Sequence, residues 1–243
     1  MHIPDGYLGP QTYGAAYLAV APFWAAASRK LNRTLRSRQV PLLALSAAFT
    51  FVIMMFNVPI PGGTTGHAVG AVLVAVLVGP WAACIAVSVA LIVQALLFGD
   101  GGITAIGANC LNMAVIMPFV GYGVYRLISA RSQVTSPRRW IGAAVGGYVG
   151  LNAAALATAF ELGIQPAIAH DSAGHALYAP YPLAIAVPVM AAGHLLVFGL
   201  VEAVVTGLVV AYLQRADASL LDGSGLSSRK ASATGSREAG VEP

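Results

Sequence analysis

Charged residues are scarce in this sequence of 243 residues: lysine, arginine, aspartate and glutamate together make up 9% of it, whereas 58% is hydrophobic. Soluble globular domains contain roughly 25% charged residues. A chain with so little charge cannot cover its folded surface with groups that water solvates, and its long apolar runs match the hydrocarbon core of a bilayer. The composition therefore predicts a multi-pass integral membrane protein.

Motifs of several enzyme classes are also missing. The two lysines, Lys30 and Lys230, each follow an arginine, so neither belongs to a G-x-x-x-x-G-K-[ST] phosphate-binding loop. The H-E-x-x-H motif of many zinc proteases is absent. Ionisable residues inside the predicted spans are few, chiefly His194 and Glu202, whereas carriers coupled to protons or sodium usually have more. The sequence therefore predicts a non-catalytic binding or conducting subunit that depends on an energised partner, and it assigns no role to Glu202 or His194.

Seven apolar segments are candidates for membrane spans. A span needs about 20 residues, and the first and third segments are short by that measure. Gly79-Pro80 favours a break between the third and fourth segments, because proline removes a helical donor and clashes with the preceding turn. The predicted spans are residues 12–27, 40–57, 64–78, 80–98, 103–127, 140–162 and 183–213.

The basic residues predict the orientation of these spans. All 13 lysines and arginines lie in three stretches, 29–38, 126–139 and 215–237. Cytoplasmic loops carry the lysine and arginine excess, and seven spans place all three stretches on one side. We therefore expect a plasma-membrane protein with its N-terminus outside and its C-terminus in the cytoplasm. Residues 214–243 are predicted to be a disordered cytoplasmic tail, and the opening MHIPDGYL does not have the pattern of a signal peptide.

The first two residues have the pattern of a metal chelate. The α-amine of Met1, the deprotonated backbone amide of His2 and the imidazole Nδ1 of His2 close two adjacent chelate rings. Planar nitrogen coordination suits Ni²⁺ and Cu²⁺, whereas zinc prefers a tetrahedron. Pro4 stiffens the chain after the histidine, and Asp5-Gly6 predicts a turn. The alternative is an ordinary histidine in a frayed terminus.

A fourth nitrogen would have to come from elsewhere in the chain. His67 follows the segment PGGTTG at the start of the third predicted span, on the same side as Met1. Taken alone, His67 is equally compatible with an ordinary histidine at a helix end. His170 and His175 lie in the long outer loop 163–182, where solvated histidines are the simpler interpretation.

Three motifs together closely resemble the CbiM/NikM family, the substrate-specific S components of energy-coupling-factor (ECF) transporters for cobalt and nickel. They are MHIPDGYL at the terminus, PGGTTGHAVG at 61–70 and QALLFGDGGITAIGANCLNMAV at 94–115. The resemblance covers the seven predicted spans. It implies an all-α integral membrane fold of seven transmembrane helices, in which an extra N-terminal helix joins a six-helix S-component core. It also implies a square-planar site whose ligands are the Met1 amine, the His2 amide and imidazole, and His67.

The resemblance has implications for the metal and the partners. Cobalt members linked to cobalamin biosynthesis tend to begin MHIMEGFL and to carry an SCSHP-like segment, whereas MHIPDGYL and TTGHAVG are similar to nickel-type members. Ni²⁺ is therefore the expected substrate, Co²⁺ is the alternative, and no organic cofactor is expected. The implied partners are a transmembrane coupling (T) subunit, cytoplasmic ATPase subunits and, in addition, an optional small accessory membrane subunit. Binding of nucleic acid is not expected.

Ligating histidines usually donate their other N–H to an oxygen atom, so polar residues near the outer span ends are candidates for that role. These are Asn57, Thr64, Thr65, Asp100 and Asn109. Capping or turn formation is the simpler interpretation of each. Ala44 and Ala48 form a small-xxx-small pair on the second span that resembles a docking face for the coupling subunit, and packing within the chain is the alternative.

Two other function classes compete with this interpretation. An autonomous divalent-metal channel or carrier would transport without partners or ATP. A membrane metalloenzyme is disfavoured, because four protein nitrogens in one plane leave no in-plane position for a substrate, unlike catalytic metal sites.

Overall fold

The computed structural model of the protein describes residues 1–34, 40–61 and 64–221, which are mostly helical. The elements are α1 (Pro10–Thr34), α2 (Val40–Met54), β1 (Val58–Ile60), β2 (Thr64–Gly66), α3 (Ala71–Val78), α4 (Pro80–Phe98), α5 (Ile106–Ile128), α6 (Pro137–Ile168) and α7 (Leu183–Ala216). Three stretches within the long helices have π-helical hydrogen bonding, namely Gln94–Phe98, Cys110–Ile116 and His194–Phe198.

Within the described residues, four helices are long and apolar enough to cross a bilayer: α4, α5, α6 and α7. The apolar helix α2 is shorter, with 15 residues. Large apolar side chains such as Leu196, Leu200, Val204 and Leu208 are exposed along α7, as expected of a helix in contact with lipid. The fold is therefore that of a multi-pass integral membrane protein, and the count of seven transmembrane helices stays a prediction.

The segment 64–78, expected to be the third span, differs from the prediction. Residues 64–66 form β2, which pairs antiparallel with β1, and helix α3 begins only at Ala71 and has eight residues. Gly70, the residue before α3, has a φ of 73°. This left-handed conformation does not belong to a right-handed helix, so α3 cannot extend back toward residue 64. The predicted break at Gly79-Pro80 is confirmed, since α3 ends at Gly79 and Pro80 begins α4.

Close packing of α6 against α5 depends on small residues. A Cβ atom added to Gly146 would lie 2.5 Å from the carbonyl oxygen of Gly121, and one added to Gly150 would lie 2.6 Å from that of Met117. The backbones of the two helices therefore touch along this face, which is the close approach that glycines four positions apart permit.

The predicted tail from residue 214 starts too early. Helix α7 continues to Ala216, Gln214 donates a hydrogen bond to the carbonyl of Ser136 at 2.9 Å, and Leu221 is buried at the end of a short 3-10 helix. Tertiary contacts, which the polar composition of this region does not reveal, hold residues 214–221 in place. The rest of the predicted tail, 222–243, lies outside the described residues.

Candidate metal site at the amino terminus

The N-terminal segment is buried in the protein. Met1 and Ile3 have no exposed surface, and His2 is 3% exposed. The backbone N–H of Ile3 donates to Oδ1 of Asn109 at 2.9 Å, and its carbonyl accepts from the N–H of Gly102 at 2.8 Å and from Nδ2 of Asn109 at 3.2 Å. These bonds pin the segment between helix α5 and the loop before it. The alternative of a frayed terminus is therefore wrong.

Asp5 forms a second anchor for the same segment. Its carboxylate accepts from the backbone N–H groups of Ile103 and Thr104 at 3.0 and 2.8 Å, and from the hydroxyl of Thr104 at 2.5 Å. These bonds, chiefly the one from the Thr104 hydroxyl, lower the pKa of Asp5 below its ordinary value. The loop can approach because Gly102 has no side chain, since a Cβ there would lie 2.4 Å from the Asp5 nitrogen. The sequence predicted a turn at Asp5-Gly6 but did not reveal the bonds from Asp5 to Ile103 and Thr104.

Three nitrogen-bearing groups meet at the buried end of the segment. The Met1 α-amine lies 3.3 Å from Nε2 of His67. The rings of His2 and His67 are stacked, with their centroids 4.7 Å apart and an angle of 29° between their planes. The structure thus brings together Met1, His2 and His67, the residues that the sequence motifs singled out.

The hydrogen bonds of the two imidazoles determine which nitrogens have free lone pairs. Nδ1 of His67 lies 3.0 Å from the carbonyl oxygen of Ala68, so this nitrogen carries the proton and Nε2 is left as an acceptor facing Met1. Nε2 of His2 lies 3.3 Å from Oε1 of Gln94, so it is the protonated nitrogen of that ring. Among the described residues Nδ1 of His2 has no hydrogen-bond partner. Both lone pairs are therefore available to a cation.

Burial also keeps these nitrogens neutral. Desolvation lowers the pKa of the Met1 α-amine to about 4, although the charge of Asp100 opposes the shift. Burial likewise lowers the pKa of His2 to about 3, and that of His67 lies well below its ordinary value for the same reason. The site therefore holds uncharged nitrogen donors at neutral pH, which is the form that binds metal.

The five polar candidates all lie in this network, but not in the predicted role. Thr64 donates its hydroxyl to the His2 carbonyl at 3.0 Å, and the carbonyl of Thr65 accepts a close hydrogen bond from the Met1 amine. Asp100, 17% exposed, has Oδ1 3.5 Å from Nδ1 of His2 and accepts from Asn57 at 3.2 Å. The side chain of Asn109 bonds to the backbone of Ile3, the residue after His2.

The oxygens that fix the imidazole N–H groups are instead those of Gln94 and Ala68. Gln94 has no exposed surface, and its Nε2 donates to the carbonyl of Phe51 at 3.3 Å, which orients its Oε1 toward His2. Sequence reasoning missed Gln94. A lone amide inside the apolar run IVQALLF was the available signal, because a buried amide needs partners.

The remaining histidines of the loop 163–182 take no part in this cluster. His175 is solvent-exposed and its Nδ1 lies 3.1 Å from the carboxylate of Asp171, while His170 forms a β-bridge with Ala176. In the three described ranges no group of three or more His, Cys, Asp and Glu side chains is arranged to hold a metal ion. A metal at the N-terminal cluster would therefore need backbone nitrogens in addition to the two imidazoles.

Two longer relatives match most of this chain. The fused nickel transport protein NikMN of Rhodobacter capsulatus is 58% identical over 221 residues, which are 91% of this chain and 64% of the relative. The probable fused nickel transport protein LarMN of Lactiplantibacillus plantarum is 52% identical, over 88% of this chain and 65% of its own length. The chain thus spans just under two thirds of the length of each of these relatives.

A solved structure has the same fold. It is described as a truncated transition metal transporter, is 56% identical in sequence, and superposes with a TM-score of 0.84 over 88% of this chain and 99% of its own. The family model described as "cobalt uptake substrate-specific transmembrane region", CbiM, matches residues 2–220. The motifs, the membrane fold and these matches agree, and the chain belongs to the CbiM family.

Proposed function

We propose that the chain captures Ni²⁺ from outside the cell, with Co²⁺ as the alternative substrate, in a square-planar site built on its N-terminus. The observation that carries the proposal is the 3.3 Å approach of the Met1 amine to Nε2 of His67, beside the stacked ring of His2. The amine and the two imidazoles are buried and neutral, and each imidazole has one nitrogen without a proton.

The donor set explains the choice of metal. The Met1 amine, the His2 amide and Nδ1 of His2 form a chelate in one plane, and Nε2 of His67 supplies the fourth corner. Planar nitrogen sites suit Ni²⁺, and the general affinity order for divalent metals places nickel above cobalt. Loss of the amide proton offsets one charge of the ion. The carboxylate of Asp100, 3.5 Å from Nδ1 of His2, offsets part of the rest.

The proposed role is that of the S component of an ECF importer, a non-enzymatic subunit with no organic cofactor. Energy would come from cytoplasmic ATPase subunits through a transmembrane coupling subunit, because this sequence has no phosphate-binding loop of its own. Ala44 and Ala48 are both exposed on α2, which keeps this small-residue face free for docking. The proposed orientation in the plasma membrane places the N-terminus outside and the C-terminus in the cytoplasm.

Metal analysis of the purified chain with a free Met1 amine tests the proposal. We expect one Ni²⁺ per chain, and a weaker complex with Co²⁺. Reconstitution in liposomes distinguishes the alternative function. Uptake only with the coupling subunit, the ATPases and ATP supports an S component, whereas uptake by the chain alone would identify an autonomous channel or carrier.

A further inference from the structure

Glu202 is a fully buried acidic residue on α7 that receives hydrogen bonds from the loop before α3. The backbone N–H of Val69 donates to its Oε2 at 2.8 Å, and that of Gly70 lies 3.0 and 3.1 Å from Oε2 and Oε1. The hydroxyl of Thr206, one turn along α7, lies 3.4 Å from Oε1. Both carboxyl oxygens thus act as acceptors. The last long helix is tied directly to residues 69 and 70.

The loop held in this way carries the His67 imidazole. Residues 67–70 join β2 to α3, and Val69 is two positions from the histidine. Gly70 adopts its left-handed conformation beside Phe49, whose Cε1 would lie 2.5 Å from a Cβ at that position. Two consecutive N–H groups in such a buried turn need acceptors. Glu202 supplies them, and it also places a carboxyl group at the N-terminus of α3, where helix dipoles favour negative charge.

We infer that Glu202 is a positioning residue for the metal site: it fixes the loop that aims Nε2 of His67 at the Met1 amine. This inference rests on the proposed function. The strand pairing of β2 holds the loop at one end and the carboxyl group of Glu202 holds it at the other. Removing the Glu202 carboxyl group leaves every ligand group chemically unchanged, but Nε2 of His67 is then held less firmly in position. Partners behind a metal ligand typically change metal affinity by about 10–100-fold when they are mutated.

The structure offers a matched control in Glu161. Glu161, on α6, has a partly buried carboxyl group, which accepts from Nδ2 of Asn112 at 2.7 Å. It bonds neither to the loop 67–70 nor to the ligand residues in the described structure. Glu161→Gln therefore reports the general effect of replacing a partly buried, hydrogen-bonded carboxyl group in the membrane domain.

The experiment compares wild type, Glu202→Gln, Glu202→Asp and Glu161→Gln, each purified with a free Met1 amine. Three quantities are measured: Ni²⁺ affinity, the rate of Ni²⁺ loss to a chelator and the absorption spectrum of the bound Ni²⁺. The amide of Glu202→Gln keeps one oxygen that can accept from Val69 and Gly70, but it replaces the second acceptor with an N–H donor and removes the negative charge from the start of α3. We expect its affinity to fall about 10–100-fold, with faster Ni²⁺ loss and a spectrum shifted away from that of the planar site.

The other variants separate positioning from folding. Glu202→Asp keeps both oxygens one methylene further back and should recover part of the affinity and the wild-type spectrum. Glu161→Gln should leave the spectrum unchanged and the Ni²⁺ affinity within about threefold of wild type. That change is smaller than the roughly 10–100-fold loss typical of residues that hydrogen-bond to a metal ligand. Hydrogen exchange at the Val69 and Gly70 amides should be faster in Glu202→Gln than in Glu161→Gln, independently of any metal.

The outcomes that overturn the inference are distinct from those that overturn the proposed function. If wild type binds no Ni²⁺, the proposed function fails. If wild type binds and Glu202→Gln binds with the same affinity, rate and spectrum, the positioning role is wrong. Equal losses in Glu202→Gln and Glu161→Gln would also contradict it. Should Glu202→Gln not fold, the same comparison is made between Glu202→Asp and Glu161→Gln, and equal affinity, rate and spectrum in the two would overturn the role.

Discussion

The α-amine of Met1 lies 3.3 Å from Nε2 of His67, although 66 positions separate the two residues in the sequence. Each reaches this point by a different route. The N-terminal segment is held by Asn109 and the loop 99–105, whereas His67 is presented by the turn between β2 and α3. Changes to either route should therefore affect the same proposed metal site.

The first prediction concerns His67 itself. Replacing it with alanine removes one of four proposed donors and leaves the N-terminal chelate in place. We expect Ni²⁺ affinity, measured by titration calorimetry, to fall by roughly 100-fold or more. Mutating a residue that only hydrogen-bonds to a metal ligand typically costs about 10–100-fold, and loss of the ligand itself should cost at least as much. His175→Ala, which alters an exposed histidine paired with Asp171, is the matched control. Unchanged binding by His67→Ala would require another fourth ligand.

The second prediction concerns Gln94. Leucine at this position removes the oxygen that lies 3.3 Å from Nε2 of His2, so the His2 ring loses the partner that selects its tautomer. Ni²⁺ affinity should fall about 10–100-fold. Gln214→Leu serves as the control, because Gln214 lies near the C-terminal end of α7 and bonds to the carbonyl of Ser136 instead of to the N-terminal cluster. An equal loss of affinity in both variants would contradict a specific role for Gln94.

The third prediction concerns Gly102. A Cβ in Gly102→Ala would lie 2.4 Å from the backbone nitrogen of Asp5, so the N-terminal segment or the loop must shift. Ni²⁺ binding should weaken, and hydrogen exchange of residues 3–5 should become faster. Gly14→Ala, whose added Cβ has no atom of the described residues within 4 Å, should leave both measurements unchanged. Normal binding by Gly102→Ala would show that the observed approach of the loop is not needed.

The fourth prediction is a pH dependence. Hydrogen bonds from Thr104 and Ile103 lower the pKa of Asp5 below its ordinary value of 3.8. The anchoring they provide is therefore fully present above that value and is lost as the pH falls through the lowered pKa of the folded protein. Protection of the Thr104 amide from hydrogen exchange, after correction for intrinsic rates, should be constant at neutral pH and fall below about pH 4. Asp5→Asn should show no such step, and a step at neutral pH in wild type would assign the effect to another group.

The sequence singled out Met1, His2 and His67, which the structure brings together, because their signals are local. Met1 and His2 are adjacent, and the motif around His67 resembles one family closely. Gln94 was missed and Glu202 was given no role, because each is a single polar residue in an apolar run whose partners are far away in the sequence. The helical start expected at residue 64 was wrong for the same reason. The apolar pattern there does not reveal that β1 pairs with β2, or that Glu202 holds the turn at Gly70.

The membrane orientation can be tested separately from the site. Reporter fusions at residues 29–38, 126–139 and after 221 should all report the cytoplasm, because these regions carry the lysines and arginines. An external signal at any of them would contradict the seven-span topology and would place Met1 on the wrong side for uptake.

The most direct test of the site uses the Met1 amine itself. Acetylation removes its lone pair from coordination with little added bulk, and a residue added before Met1 replaces the amine with an amide. Ni²⁺ binding is compared at one pH among chains with a free Met1 amine, an acetylated one, an N-terminal extension or a C-terminal tag. We expect strong binding by the free and C-tagged forms and loss of binding in both N-modified forms. Equal binding by all four would contradict a metal site built on the terminal amine.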